Sequence, residues 1–463
     1  MSDNLNQQKN DKNNKLMDFI SIICLIVFGA IFINNIYQNQ LTQNLENTSD
    51  NPIDTTNLNP PTSILETTTT TKQKNISHNT TPITSPVTST LTIPATTLSI
   101  SQPTNTTLQA SLSFQPSISS KYEHSCVLLE RDKIKCWGPN DYGQLGNGQK
   151  SDYPSHSAVS VSNLKDAARI SVGGMGTCVL LTDSSVNCWG VIYPKGEKVY
   201  SYQSPYNVYS LQNVIAVSSG YLHTCVLFKD RTVRCWGNNE DGQLGDGTNE
   251  DKIEPVEVRD LFEVKEIAAG YFHTCALLMD GTVKCWGNNE FGELGNGTKV
   301  SSNIPIVVPN LSDVKSISAG LGYTCALLNN NNVKCWGRNY GGQLGDGTTN
   351  DRTTPVLVKG LEGDEIEKIV TGGFRTCVLL KNKTIKCWGE GYTKNGVTVD
   401  YTTHAESIPN LENIIDVAVG KQHTCVLLND KTVKCWGLNN IGQTGDGTFN
   451  YYNPLPVKVI GLE

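Results

Sequence analysis

The sequence predicts an all-β chain, a seven-bladed β-propeller of roughly 50-residue units preceded by one membrane-spanning helix and a disordered stalk. Three observations lead there. All seven Trp residues sit in the tripeptide Cys-Trp-Gly, as Trp137, Trp189, Trp236, Trp286, Trp336, Trp388 and Trp436, spaced 47 to 52 residues apart. Fourteen of the 15 Cys residues fall into pairs ten apart in the same units. The first 113 residues have a different composition from the rest.

Residues 1–15 are polar, with Lys9, Lys12 and Lys15, and read as a cytoplasmic tail. Residues 16–37 read as the anchor. Phe19 to Ile33 is apolar except for Ser21, and the flanking Leu16, Met17, Ile36 and Tyr37 bring the segment near the ~20 residues that a bilayer core of about 30 Å requires. No Lys or Arg follows until Lys72, so the positive-inside rule places the N-terminus in the cytoplasm and the remainder outside. The alternative, a cleaved signal peptide, wants small residues at the cut, and Ile31-Phe32-Ile33-Asn34 supplies none.

Residues 38–113 read as a disordered linker. Between Thr62 and Thr107, 17 of 46 residues are Thr, mixed with Ser, Pro and Asn, which is too little apolar surface to offset the entropy of ordering. Asn75, Asn79 and Asn105 open N-x-[ST] triplets, but a Thr-rich tract produces these by chance, and a plain spacer is expected.

From 114 to 463 each unit reads as four short strands. In Val264 to Thr298, Ile267 to Gly270 suits a crowded inner position, His273 to Leu278 a second strand, and Thr282 to Trp286 a third. Gly292 to Thr298 is turn chemistry. Pro255 to Val258 and Pro355 to Val358 look like outer strands, where Pro is tolerated. Such units, repeated seven times, fit a propeller, and no unit carries the 3.6-residue period of a helical solenoid.

The motifs HTCALL, VKCWGNN and GQLGDGT resemble the regulator of chromosome condensation repeat family of seven-bladed propellers. The loop Gly242 to Thr248 recurs nearly unchanged at Gly342 to Thr348, with variants at Gly143 to Gly148, Gly292 to Thr298 and Gly442 to Thr448. Units two and six lack it. They carry VIYPKGEKVYSYQSPYNVYS and EGYTKNGVTVDYTTHAES after Trp189 and Trp388.

The Cys pairs are Cys126 with Cys136, Cys178 with Cys188, Cys225 with Cys235, Cys275 with Cys285, Cys325 with Cys335, Cys377 with Cys387 and Cys425 with Cys435. An even spacing puts both side chains on one face of a hairpin. With a three-residue loop centred on Asp280, Leu278 pairs with Thr282 and Cys275 falls opposite Cys285. Seven disulfides within blades are expected, in keeping with an extracytoplasmic address. Buried free thiols are the alternative. Zinc is disfavoured, because its ligands usually sit two to four residues apart.

His124, His223, His273 and His423 share one repeat position, where units two, five and six carry Gly176, Tyr323 and Arg375. A structural role is expected, each bonding a neighbouring loop; a ring at one mouth holding an anion or metal is the lesser reading. The Gly-[Asp/Asn]-Gly-Thr loops offer one carboxylate or none, too few for calcium. No catalytic, cofactor or metal site is expected. The partner-binding candidates are Tyr193, Tyr200, Tyr202, Tyr206 and Tyr209 of unit two, since Tyr offers large area and few rotors; packing of alternate tyrosines on the next blade is the competing reading.

A net charge of −7 argues against nucleic acid as a partner. The expected function is a membrane-tethered, extracytoplasmic module that binds an unidentified protein, without catalysis. The resemblance implies two relatives' activities as comparisons: guanine-nucleotide exchange on a small GTPase, and inhibition of a β-lactamase through aromatic mouth loops. A carbohydrate-binding or enzymatic propeller is a further alternative. Finally, the tail Pro454 to Ile460 matches Pro255 to Val258, and unit one lacks such a segment before its inner strand. Leu455 to Ile460 is therefore expected to supply the outer strand of the blade containing Cys126 and Trp137.

Overall fold

The computed structural model describes Leu112 and residues 114–463, except 196–197, 209–210, 391–392, 395–396 and 399–400; for the remaining residues within 192–199 and 391–400 only the backbone is described. The expected tail, anchor and nearly all of the linker lie outside the described residues. Among the described residues no helix is long and apolar enough to cross a membrane.

Seven antiparallel four-stranded sheets follow one another along the chain. Blade 4 shows the pattern: an inner strand Val264–Ala269, a second His273–Leu278, a third Val283–Gly287 and an outer Ser302–Val307. The other inner strands are Ser117–Ser120, Ala167–Val172, Val214–Ser219, Val314–Ala319, Ile366–Thr371 and Ile414–Val419.

The hairpin predicted around Asp280 is present. The Leu278 N–H donates to the Thr282 carbonyl and the Gly281 N–H to the Leu278 carbonyl, with Gly281 left-handed at φ 82°. Five other blades keep this loop without glycine: Ser184, Arg231, Asn331, Lys383 and Lys431 stand there at φ 65–69°. Blade 1 departs from it, pairing Glu130 with Lys133.

Hydrophobic cores lie between blades. One cluster joins Cys225, Leu227 and Cys235 of blade 3 to Ile267, Ala276 and Trp286 of blade 4, and the same construction recurs at every seam. All seven Trp side chains are buried. Five of them point their indole N–H at the preceding blade's loop: Trp286 donates to the Gln243 carbonyl at 2.9 Å, and Trp137, Trp189, Trp336 and Trp388 do likewise to Gln443, Gln144, Glu293 and Gln343. Gly245 makes that contact possible, because a Cβ there would lie 2.6 Å from the Trp286 Nε1. The repeat therefore ties each loop to its neighbour's tryptophan.

The composite closing blade is not formed. Tyr452–Lys458 pairs with Val433–Leu438 of its own unit, Cys435 opposite Val457, and the outer strand of blade 1 is its own Ser151–Ser160. The tight loop after each Cys-Trp-Gly returns the chain antiparallel onto the strand it has just left, and this local pairing involves far less loop closure than pairing across the ring. Blades 7 and 1 meet like any other pair. Ile118 and Trp137 pack on Leu427 and Val459, the Lys421 N–H donates to the Tyr122 carbonyl, and the Ala158 N–H to that of Ile460.

Candidate interaction face

The alternation of strands places the inner-to-second loops and the third-to-outer loops at the same end of every blade. This loop face carries both divergent insertions. In blade 2 the third and outer strands, Val186–Lys195 and Lys198–Asn207, are ten residues long each. They form one hairpin, with Tyr193 paired to Tyr200 and Gly190 to Tyr202. Where blades 1, 3, 4, 5 and 7 fold back through a glycine loop, blade 2 continues as a ladder. It leans on the loop of blade 1, since a Cβ on Gly143 would meet the Gln203 backbone at 2.8 Å.

The candidate tyrosines divide between the two readings. Tyr200 and Tyr202 are 51% and 47% exposed. Tyr202 stacks on Tyr206 with ring centroids 4.2 Å apart, and Tyr206 is partly buried against the core between blades 2 and 3. Tyr206 therefore supports the exposed ring above it. The Tyr193 side chain and the whole of Tyr209 lie outside the described residues.

Sequence reasoning missed the rest of the aromatic surface. Tyr122, Tyr221 and Phe272, each partly exposed, meet around the buried Tyr271, with Tyr122 and Tyr221 5.1 Å apart edge to face and Tyr221 and Phe272 at 5.6 Å. Burial pushes the Tyr221 phenol up to about 12, keeping it a neutral hydrogen-bonding group. Further out, the Arg338 guanidinium lies 4.6 Å from the Phe291 ring and 4.5 Å from that of Tyr340. Tyr122, Tyr221 and Tyr271 share one repeat position, two residues before His124, His223 and His273, a signal that alignment on the histidines offered, whereas Arg338 and its ring partners have no such register. Asp141, Glu240 and Glu290 in the neighbouring loops are exposed, and the Lys421 ammonium lies 4.6 Å from the Tyr122 ring.

The four histidines hold seams together, though through strands and not through loops. Nε2 of His124, His223 and His273 is 2.9 Å from the hydroxyls of Thr177, Thr274 and Thr324 in the next blade, and His423 is 2.7 Å from Ser125. Those threonine hydroxyls donate to the carbonyls of Gln144, Gln243 and Glu293, so Nε2 must be the donor in these three seams. Burial pushes all four imidazoles down to about 3. In blade 6 the Arg375 Nη1 takes the same role toward Thr424 at 2.9 Å.

The structure joins all seven expected Cys pairs as disulfides: Cys126–Cys136, Cys178–Cys188, Cys225–Cys235, Cys275–Cys285, Cys325–Cys335, Cys377–Cys387 and Cys425–Cys435. Each links directly opposed residues of the second and third strands, with Cα atoms 4.1 Å apart, so the free-thiol alternative is set aside. The glycine loops use their carboxylates internally. Asp246 accepts from the Thr248 N–H and hydroxyl, and the buried Asn239 donates to Asp246, Thr248 and Glu250 while accepting from the Leu244 N–H. Among the described residues no group of three or more His, Cys, Asp or Glu could hold a metal.

The comparisons agree with this architecture. Solved structures with the same fold include yeast RCC1 (Prp20) bound to Kap60, at 19% identity and TM-score 0.62, covering 76% of this chain and 85% of that one. Prp20p from Saccharomyces cerevisiae, from a study of its binding to Gsp1p and histones, gives 19% and 0.61 over 75% and 87%. Human WBSCR16 gives 20% and 0.58 over 71% and 94%. No curated protein matches by sequence. The RCC1-like domain profile matches residues 90–399 and the regulator of chromosome condensation (RCC1) repeat profile residues 414–443, so this chain belongs to the RCC1-like propeller family.

Proposed function

We propose that this protein is a membrane-tethered, extracytoplasmic propeller that binds another protein through its loop face. The observation that carries the reading is the blade 2 hairpin, which raises two half-exposed tyrosines on the same face as the central aromatic cluster. A rigid aromatic patch with a polar rim is the composition of a binding hot spot. The ring supplies rigidity, the linker reach and the anchor an address. Seven disulfides suit an oxidising compartment, which separates this reading from exchange on a cytosolic GTPase. Binding, and not catalysis, is the proposed activity. The four seam imidazoles that could serve as acid–base groups are buried, neutral and already bonded.

Protease treatment of intact cells tests the address, and digestion of the propeller is the expected result. Surface capture of partners with the unaltered protein and with Tyr200→Ala/Tyr202→Ala tests the face. The double variant should keep its melting temperature and lose the partner; a folded double variant that still captures it would refute the role of the hairpin.

A further inference from the structure

The inner strands enclose a central channel of about 490 Å³. At the loop-face end stands Lys121. The other six blades carry glycine in this register, Gly173, Gly220, Gly270, Gly320, Gly372 and Gly420. The Lys121 side chain is nine-tenths buried and lines the channel. Its amine crosses from blade 1 to donate to the Ala269 carbonyl of blade 4 and, at 3.0 Å, to the Ala319 carbonyl of blade 5. Its own carbonyl accepts from the Tyr271 hydroxyl. Among the described residues no carboxylate lies within ion-pair distance, the Tyr271 ring lies 5.9 Å from the amine, and an ammonium has three protons for these two carbonyls.

The wall below carries an arc of serines. Ser119, Ser171 and Ser218, on consecutive blades, each accept a backbone N–H at 2.9 Å, from Val172, Ser219 and Ala269. Among the described residues none of these three hydroxyls donates to a protein acceptor, so each retains a proton for the channel. Facing this arc, Ala268, Val370 and Ala418 are apolar, and between the first two stands Ser318, whose hydroxyl accepts from the Thr371 N–H and bonds the Thr371 hydroxyl. The channel thus presents unspent donors on one side, a mostly hydrocarbon wall interrupted by Ser318 on the other and a buried cation at its closed end.

We propose that the central channel binds a small organic carboxylate, its anionic head toward Lys121 and the serine arc and its short apolar body along the Ala268, Val370 and Ala418 wall. A carboxylate is acceptor-only, which matches a lining with donors to spare. It would also supply the counter-charge a buried ammonium lacks. Entry is by the opposite mouth, where Arg169 and Lys368 alternate with Glu266, Glu367 and the Lys368-paired Asp416. This site is independent of the loop-face reading.

Binding should depend on pH. Burial pushes the Lys121 amine down to about 7, so the charged form needed for the anion is lost as pH rises past neutrality. The His223 and His273 imidazoles stay neutral, and Tyr271 is held far above its usual value by burial. Glu123, in the same loop, faces Lys421 and is raised by burial. Glu266 does titrate nearby, pushed up to about 7 by burial, so it must be separated out.

The probe is sodium butyrate, titrated calorimetrically into the purified full-length protein, with inorganic phosphate alongside. One butyrate per chain is expected, with affinity at least tenfold lower at pH 8.5 than at pH 6 in both the unaltered protein and Glu266→Gln. Lys121→Met should abolish it while the seven disulfides and the fold by circular dichroism persist. Absence of saturable butyrate binding, a pH dependence that vanishes in Glu266→Gln, phosphate binding in place of butyrate, or unchanged affinity in folded Lys121→Met would each overturn the proposal. The pH series needs no variant of Lys121, so the test stands even if that variant fails to fold.

Discussion

Glu293 stands where four other loops have Gln144, Gln243, Gln343 and Gln443. Its side chain is 1% exposed, one carboxyl oxygen accepts from the Phe291 N–H, and burial pushes it up to about 7. The sign follows from linkage. Below the ordinary glutamate range both folded and unfolded states are protonated and nothing is lost. Between there and about 7 the unfolded chain ionises first, so stability falls as pH rises. Glu293→Gln should therefore be neutral at pH 4 and stabilise by about 2 kcal/mol at pH 8, read from urea melts at the two pH values. The slope that persists in this variant combines Glu266, raised for the same reason, with the four seam imidazoles, whose depressed values make stability rise with pH up to their unfolded range. A second residue prediction concerns Arg231, held left-handed at φ 69°. Arg231→Gly should raise stability by up to about 1 kcal/mol, since relief of the left-handed strain exceeds the entropy glycine adds to the unfolded chain; a lower melting temperature would contradict this.

At the scale of the loop, Asn239 anchors the chain that receives the Trp286 indole. Asn239→Ala leaves several buried groups without partners, which predicts a loss of about 2–4 kcal/mol and a red-shifted tryptophan emission as blade 4's indole becomes wetter. Each disulfide closes a short hairpin, for which the chain-entropy model gives about 2–3 kcal/mol. The pair Cys225→Ser/Cys235→Ser should cost about that much in a folded protein, and peptide mapping without reductant should recover the other six bridges. The elements were legible where a residue pattern states its own geometry. The spacing of ten read the Cys register, and Leu278 to Thr282 read the hairpin. The phase of the outer strands was not legible, because Pro255 to Val258 lies between two units and suits either. Lys121 was passed over because alignment on histidine and cysteine drew no notice to a lysine in a glycine position. The tyrosine cluster at 193–209 marks the blade 2 hairpin, and only the structure separates the exposed Tyr200 and Tyr202 from the supporting Tyr206.

At the scale of the ring, the seam between blades 7 and 1 decides integrity. Val459 packs on Trp137, and the Ile460 N–H and carbonyl bond Gly445 and Ala158. Deleting Pro454 to Glu463 removes one outer strand and one wall of that seam, so a large fall in melting temperature is expected although no other blade loses a strand. An unchanged melting temperature would show that the seam contributes little. Every blade is contiguous in the chain, every bridge stays within its blade, and the last seam carries the same interleaved core as the others and the loop-to-indole bond found at five of the seven. The ring therefore has no privileged beginning. Circular permutants opened in any of the connections between blades, with the present ends of the propeller joined by a linker, should recover all seven bridges and the same ring. That same interchangeability would let whole units be gained by tandem duplication, with new loops arising on one blade while its neighbours keep the circle closed.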